Sequence, residues 1–287
     1  MSKSLNNILN NIKLEKDGIY SGLSSLESDQ ELEISLREMV ASKKYDNYLH
    51  SISESHSISV MDHEVEKFLK KMPKNSVILD IGGCWGWHWR KIKSNRPDVK
   101  IIIIDFVRSN LIHAKNILGK LIGKQIELVH ADATNLPFKI NNTFKGFNGI
   151  WTVQTLQHIP DFSKVINEAY QLLLKNGYFV NYSLHNTPFN IFIYKILKKK
   201  FHKKGVVKGS YYLERASKEQ ILSMEKYFGK ENIIINYSET LFHPDLKFRF
   251  SGKLNNYLGY IDILISYLKP LAYFMSRQSS FTAKKIK

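Results

Sequence analysis

The spacing of apolar residues changes character near residue 77. Before that point the chain reads as helix. In residues 28–40, Leu32, Leu36, Met39 and Val40 follow a Ser/Asp cap at helical spacing. Residues 62–72 repeat the pattern with Val65, Phe68, Leu69 and Met72, and stop at Pro73. The first 26 residues are polar and without period, and read as a loose arm. From residue 77 the apolar residues instead form short continuous runs at 77–79, 101–104, 127–130, 149–153 and 178–182, with mixed helical stretches between them. Strands apolar on both faces and alternating with helices predict an α/β chain whose doubly wound parallel sheet is covered on both sides. After residue 182 the rhythm breaks. A helix is expected at 217–228 and a strand at 233–236. A long helix should cover 255–268, with Leu254, Leu258, Ile261, Ile265 and Leu268 on one face, and residues 280–285 should form a last edge strand.

Composition narrows the class. The chain has 287 residues, 43% of them hydrophobic and 12% aromatic, enough to bury a substantial core. One cysteine excludes a disulfide framework and any cysteine-based zinc cluster. No pair of metal-ligand motifs is present, so no metal site is expected. The N-terminal residues lack the apolar run of a signal peptide. The most apolar late stretch, 257–275, is interrupted by Asp262, Lys269 and Pro270, which argues against a transmembrane helix. A cytoplasmic location follows as the expectation. The formal charge of +16 invites a nucleic-acid partner, but only seven of the 42 basic residues are Arg, the side chain suited to bidentate phosphate recognition. Most of that charge therefore reads as solvated surface.

Chemistry concentrates in VILDIGGCWGWHW, residues 77–89. A buried strand ends in Asp80, and Gly82, Gly83 and Gly86 then turn the chain into a helix, letting backbone approach a ligand at the carboxyl end of the sheet. A dinucleotide fingerprint fails, because its third and sixth places hold Cys84 and Trp87. Asp80 would also repel a pyrophosphate, whereas it suits the cationic sulfonium and amino groups of S-adenosylmethionine. Asp105 ends the second strand, where a carboxylate can take both ribose hydroxyls. Asp132 follows the third strand, facing the adenine edge, and Ala133 leaves room for the ring.

With these residues the sequence resembles the class I S-adenosylmethionine-dependent methyltransferases, in the subgroup with compact domains of small-molecule type. LDIGGCWG is similar to the family's first motif, Asp105-Phe106 to its ribose-binding acid and the following apolar residue, and ADATNLPF to its adenine-side motif. GIWTVQTLQHIPD, which brings in Thr152, and LLLKNGYFV are similar to its fourth and fifth strand regions. The likeness covers residues 60–182 best. It implies a Rossmann-like sheet of seven mostly parallel strands with the last antiparallel, behind an N-terminal arm with cap helices at 1–60. The catalytic domain would then span 61–287, with a lid insert after the fifth strand at about 186–216. It further implies S-adenosylmethionine as co-substrate, held by Asp80, Gly82, Gly83, Cys84, Trp85, Gly86, Asp105, Phe106, Asp132, Ala133 and Thr152. Cys84 stands where the family has its middle glycine.

Methyl transfer from a sulfonium is an in-line displacement, so a base is needed only for a weakly acidic acceptor. His158 is the first candidate, with His56, Tyr182 and His185 behind it. In the insert, Lys195, Lys198, Lys199 and His202 would line one stripe of a helix, facing an anionic or lipid-linked acceptor, a membrane surface, or only solvent. The expected function is methylation of a small or medium-sized metabolite at O or N. An RNA methyltransferase and a non-catalytic binding scaffold are the alternatives.

Overall fold

The computed structural model describes residues 8–9, 12–22, 31, 34–35, 38, 47–207, 211–246 and 252–287. Most of the helix expected at 28–40 lies outside the described residues; the four positions described, 31, 34, 35 and 38, are helical.

The chain begins with two short strands, β1 (Lys13–Leu14) and β2 (Tyr20–Ser21), followed by helices α1 (Tyr48–Ser53) and α2 (Ile58–Lys70). Then come β3 (Val77–Ile81), α3 (Ile92–Asn95), β4 (Lys100–Asp105), α4 (Arg108–Leu118), β5 (Ile126–His130) and β6 (Phe147–Val153). They are followed by α5 (Phe162–Leu172), β7 (Leu173–Leu184), α6 (Pro188–Ile196), and the hairpin β8 (Lys204–Val207) and β9 (Tyr211–Glu214). The chain ends with α7 (Lys218–Phe228), β10 (Ile233–Ser238), α8 (Gly252–Ile265), α9 (Lys269–Met275) and β11 (Gln278–Lys284).

One sheet runs in the order β1-β2-β5-β4-β3-β6-β7-β11-β10. The run from β2 to β7 is parallel, and β11 is antiparallel to both β7 and β10. The sheet has nine strands where seven were expected, β1 and β2 of the N-terminal arm lying beyond β5 at one edge. Residues 13–14 and 20–21 are not loose: Ile19 and Tyr20 are fully buried and β2 pairs with β5. The last strand is not at the edge either, since β11 sits between β7 and β10.

Burial explains the central strands. Ile101 to Ile104 are all buried, so β4 has no polar face and must lie inside the sheet. On one face α2 lays Val65, Phe68, Leu69 and Met72 against Ile78, Ile101 and Trp151. The helix comes close at Gly149, where an added Cβ would meet Phe68 and Met72 at 2.6 Å. The other face packs α5 and α7 on Leu79, Ile102 and Phe179. Each such side chain, fully buried, is worth about 1.5–3 kcal/mol.

Two helical expectations need correction. The basic stripe in the insert does not form: α6 stops at Ile196, Lys198 adopts a left-handed backbone (φ +52°), and His202 lies beyond the helix, its Nε2 3.1 Å from the Gly205 carbonyl. In α8 the apolar side faces outward, with Leu254 and Ile261 exposed, while Asn255, Gly259 and Asp262 face the protein.

Candidate active site

The order of the strands places the site. β3 is flanked by β4 on one side and β6 on the other, so the connections leave it in opposite directions and open a crevice at its carboxyl end. The glycine turn occupies that crevice. Gly82 and Gly83 donate backbone N–H to the Ile104 carbonyl at 2.8 and 3.2 Å, folding the loop over β4. Gly82, Cys84 and Gly86 have φ of +65°, +50° and +61°, which favour glycine at all three positions. Cys84 therefore holds a glycine conformation with a side chain, and its residue is exposed.

Asp80 is fully buried. Its Oδ2 is 2.9 Å from His88 Nε2 and accepts from Trp89 Nε1 at 2.7 Å, while Oδ1 is enclosed and makes no hydrogen bond. Half of this carboxylate braces the turn after the loop, and the other oxygen is left buried without a partner. Asp105 accepts from the Cys84 N–H through Oδ2 at 2.9 Å and from the Val107 N–H through Oδ1 at 2.8 Å. It pins the glycine turn to the end of β4. Phe106 places its carbonyl 3.1 Å from His130 Nε2. Asp132 closes a local turn, accepting from the N–H and Oγ1 of Thr134 at 2.8 and 2.9 Å, with Ala133 buried beside it. Trp85 is buried with its ring 5.4 Å from that of His113. Thr152 is buried within β6, its side chain on the opposite face from Asp80, and its Oγ1 makes no hydrogen bond.

The structure thus gathers the turn of residues 82–86, Asp80 and Asp105 into one cradle, with Asp132 on the neighbouring strand end. It adds a neighbour the sequence did not single out. Thr155 donates to the Gly82 carbonyl at 3.1 Å and stands where a Cβ at Gly82 would fall. A cationic amino group, a ribose and an adenine find in this cradle a buried carboxylate oxygen, a strand-end acid and an open glycine-like turn. These groups fit S-adenosylmethionine.

His158 sits differently. The Gln157 side-chain amide lies 3.1 Å from Nε2, and Nδ1 is 2.9 Å from the Tyr212 carbonyl, so Nδ1 carries the proton and the ring ties β6 to the β8–β9 hairpin. Tyr182 is buried, hydrogen-bonded to Ser238, and pushed well above the usual tyrosine range by burial.

On the β7–β11–β10 side of the same edge lies a group the sequence did not reveal. Glu239, in a left-handed backbone (φ +56°), accepts from the Ser57 N–H at 3.0 Å, Arg277 Nη1 at 2.9 Å and Gln278 Nε2 at 2.7 Å. His56 stands between this pair and the glycine turn, its ring 6.3 Å from that of Trp87 and its Nδ1 enclosed without a hydrogen bond. Burial, opposed by Glu239 and reinforced by Arg277 and His88, pushes His56 down to about 4. It is neutral near neutrality, and so low a pKa makes it a weak base.

Two predictions arise here. Bound cofactor should cover Cys84, so alkylation of this thiol, followed by intact mass, should slow with saturating S-adenosylhomocysteine. Equal rates would place Cys84 away from the ligand. The second concerns His185, whose Nε2 donates to the Tyr273 carbonyl at 3.2 Å and whose pKa burial pushes down to about 4. A folded-state pKa below the unfolded value of 6.5 gives stability that is complete above pH 6.5 and lost as pH falls toward 4. A His185→Gln variant should flatten the decline in unfolding free energy over that window, by up to about 1.4 kcal/mol per pH unit. Urea titrations of both proteins across that range check it. Parallel declines would count against a buried neutral His185.

Comparison with known proteins agrees with this geometry. The sequence profile of the methyltransferase domain family matches residues 79–181, from inside β3 to inside β7. No curated protein matches the chain. Among solved structures, a SAM-dependent methyltransferase from Thermotoga maritima is similar at TM-score 0.55 and 15% identity, with 89% of this chain and 99% of that one covered. A SAM-dependent methyltransferase from Archaeoglobus fulgidus follows at TM-score 0.51 and 15% identity, covering 80% of this chain and 95% of that one. The [4+2]-cyclase SpnF is as similar, at TM-score 0.51 and 13% identity over 78% of this chain and 80% of its own. These likenesses show the fold. Residues 79–181 match the methyltransferase domain family.

Proposed function

We propose that the protein transfers the methyl group of S-adenosylmethionine to a small or medium-sized metabolite at oxygen or nitrogen. The observation that carries this reading is the cradle at the β3 crevice: the free buried oxygen of Asp80, the carboxylate of Asp105 and the left-handed turn 82–86. Asp80 would hold the cationic amino group, Asp105 the ribose, and Asp132 with Ala133 the adenine. The cofactor supplies an activated methyl group; the protein supplies alignment and exclusion of water. The acceptor would enter on the β7–β11–β10 side, where neutral His56 could take a proton if the attacking atom is a hydroxyl.

Calorimetry with S-adenosylmethionine and S-adenosylhomocysteine tests the first half of the proposal, and absence of binding to either would sink it. Transfer of labelled methyl from bound cofactor into a fractionated metabolite extract tests the second. Label recovered in RNA would move the assignment to an RNA methyltransferase. Binding without transfer to any fraction would make the chain a scaffold, an outcome to test because the cyclase of similar fold shows that the architecture alone does not dictate the reaction.

A further inference from the structure

The helix α8 is built inside out. Its inward side is polar and firmly held. Asn255 Nδ2 donates to the carbonyls of Ser53 and His56 at 2.9 and 3.2 Å. Asp262 accepts from the N–H and Oγ1 of Thr240 at 2.7 and 2.6 Å and from the Leu241 N–H at 3.2 Å. Between them Gly259 lets the helix settle onto Ser57 and Ser59, where a Cβ would collide with both hydroxyls. Turning the helix to bury its apolar side would break all of these bonds. The outward display of large apolar residues is therefore imposed by the fold.

That display is wide. Tyr257, Leu264 and Tyr267 are 67%, 69% and 67% exposed, and Tyr260, Leu268 and Phe274 continue the surface along α8 and α9. The helix α9 packs on α6, with the Phe274 and Phe189 rings 6.4 Å apart, and α6 adds exposed Phe192 and Ile196. Soluble proteins seldom expose so much contiguous apolar surface without a partner for it.

Charge identifies the partner. Residues 187–213 contain seven lysines and no Asp or Glu, and residues 246–276 contain one acid, the inward-facing Asp262. Tyrosine-rich apolar helices rimmed by lysine are the composition of an interfacial anchor, with rings at headgroup depth and ammonium groups on anionic lipid. A second copy of this chain would bring the same lysine rim against itself at a net charge of +16. No helix among the described residues is long and apolar enough to cross a membrane, so the contact lies on the surface. We propose that α6, α8 and α9 form a docking face for an anionic bilayer. This inference stands independently of the methyl-transfer reading.

Sedimentation of the full chain with phospholipid vesicles tests it. Binding should be strong to phosphatidylcholine vesicles containing phosphatidylglycerol, weak to phosphatidylcholine alone, and reduced by salt. A Leu264→Ser, Tyr267→Ser, Leu268→Ser variant changes only exposed side chains, so its thermal midpoint should match the parent while vesicle affinity falls ten-fold or more. Replacing Lys195, Lys198 and Lys199 by Gln should cost about five-fold per lysine, on anionic vesicles only. No binding to either vesicle, or equal binding by the parent and both variants, would overturn the proposal. So would a parent dimer in equilibrium sedimentation that the triple serine variant dissolves while vesicle binding stays absent; the face would then join two copies of the chain.

Discussion

An Asp105→Ala variant is expected to bind S-adenosylmethionine about 10- to 150-fold more weakly, the value of one lost charge-assisted hydrogen bond of about 1.5–3 kcal/mol. A second effect should accompany it. Oδ2 of Asp105 holds the Cys84 N–H and Oδ1 holds the Val107 N–H, so alanine leaves two backbone donors without their acceptor and frees the glycine turn from β4. The thermal midpoint of the free protein should therefore fall as well. Asp105→Asn keeps an acceptor oxygen and should restore much of the stability but not the charge-dependent affinity. Asp132→Ala is the internal comparison, because its bonds to the N–H and Oγ1 of Thr134 do not hold the glycine turn, so the effect on that turn should be smaller. Calorimetric titration of the three variants, with melting curves of the free proteins, separates these effects. Full affinity in a folded Asp105→Ala protein would remove this carboxylate from the ribose and reopen the placement of the cofactor.

The central strands were legible because isoleucine and valine runs buried on both faces admit few other arrangements. The turn 82–86 was legible because glycine spacing reports backbone conformation directly, and the positive φ at Gly82, Cys84 and Gly86 is what that spacing required. Other features depended on partners that local pattern does not encode. In α8, one stripe of Leu and Ile and an opposite stripe of Asn255, Gly259 and Asp262 both repeat at helical spacing. Periodicity names two faces without saying which is inside, and here buried hydrogen bonds decide against the apolar one. β11 is expected at the edge because it comes last in the chain's pattern of elements, yet Gln278, Ser279 and Ser280 are buried between β7 and β10. The end of α6 at Ile196 carries no Gly or Pro, only a left-handed Lys198. The scarcity of arginine carries a second signal. In a chain where lysine dominates, each described arginine is tied down: Arg90 to Asp62, Arg96 to Asp98, Arg108 to Glu15 and Asp17, Arg215 to the carbonyls of His202 and His185, and Arg277 to Glu239. Rarity of the fork-shaped side chain marked the positions where its geometry is used.

Glu239→Ala should be the most damaging single substitution among those considered, at about 3–5 kcal/mol of unfolding free energy. The Glu239 side chain is 1% exposed and the Arg277 side chain 7%, so alanine removes the counter-charge of a buried guanidinium that keeps its bond to the Ser55 carbonyl. It also removes the acceptor of the Ser57 N–H at the start of α2 and of Gln278 Nε2 at the start of β11. Alanine returns none of that loss, because the left-handed backbone at this position costs any residue with a Cβ about 1–2 kcal/mol, which in the parent the three hydrogen bonds offset. Glu239→Gly would relieve that strain while stranding Arg277 equally, and should be less destabilised than the alanine variant. Glu239→Gln keeps one acceptor oxygen and should fall between the parent and Glu239→Ala. A Glu239→Leu, Arg277→Met double variant removes both charges and should recover most of the stability, since an apolar pair of similar volume avoids the desolvation cost. Denaturant titration of the parent and the four variants gives the comparison. A loss below about 1 kcal/mol for Glu239→Ala would show that water reaches the guanidinium, as for an exposed pair. A loss of the expected size would instead make this pair the clamp joining α2 to the carboxyl end of β10 and the start of β11, holding His56 beside the glycine turn.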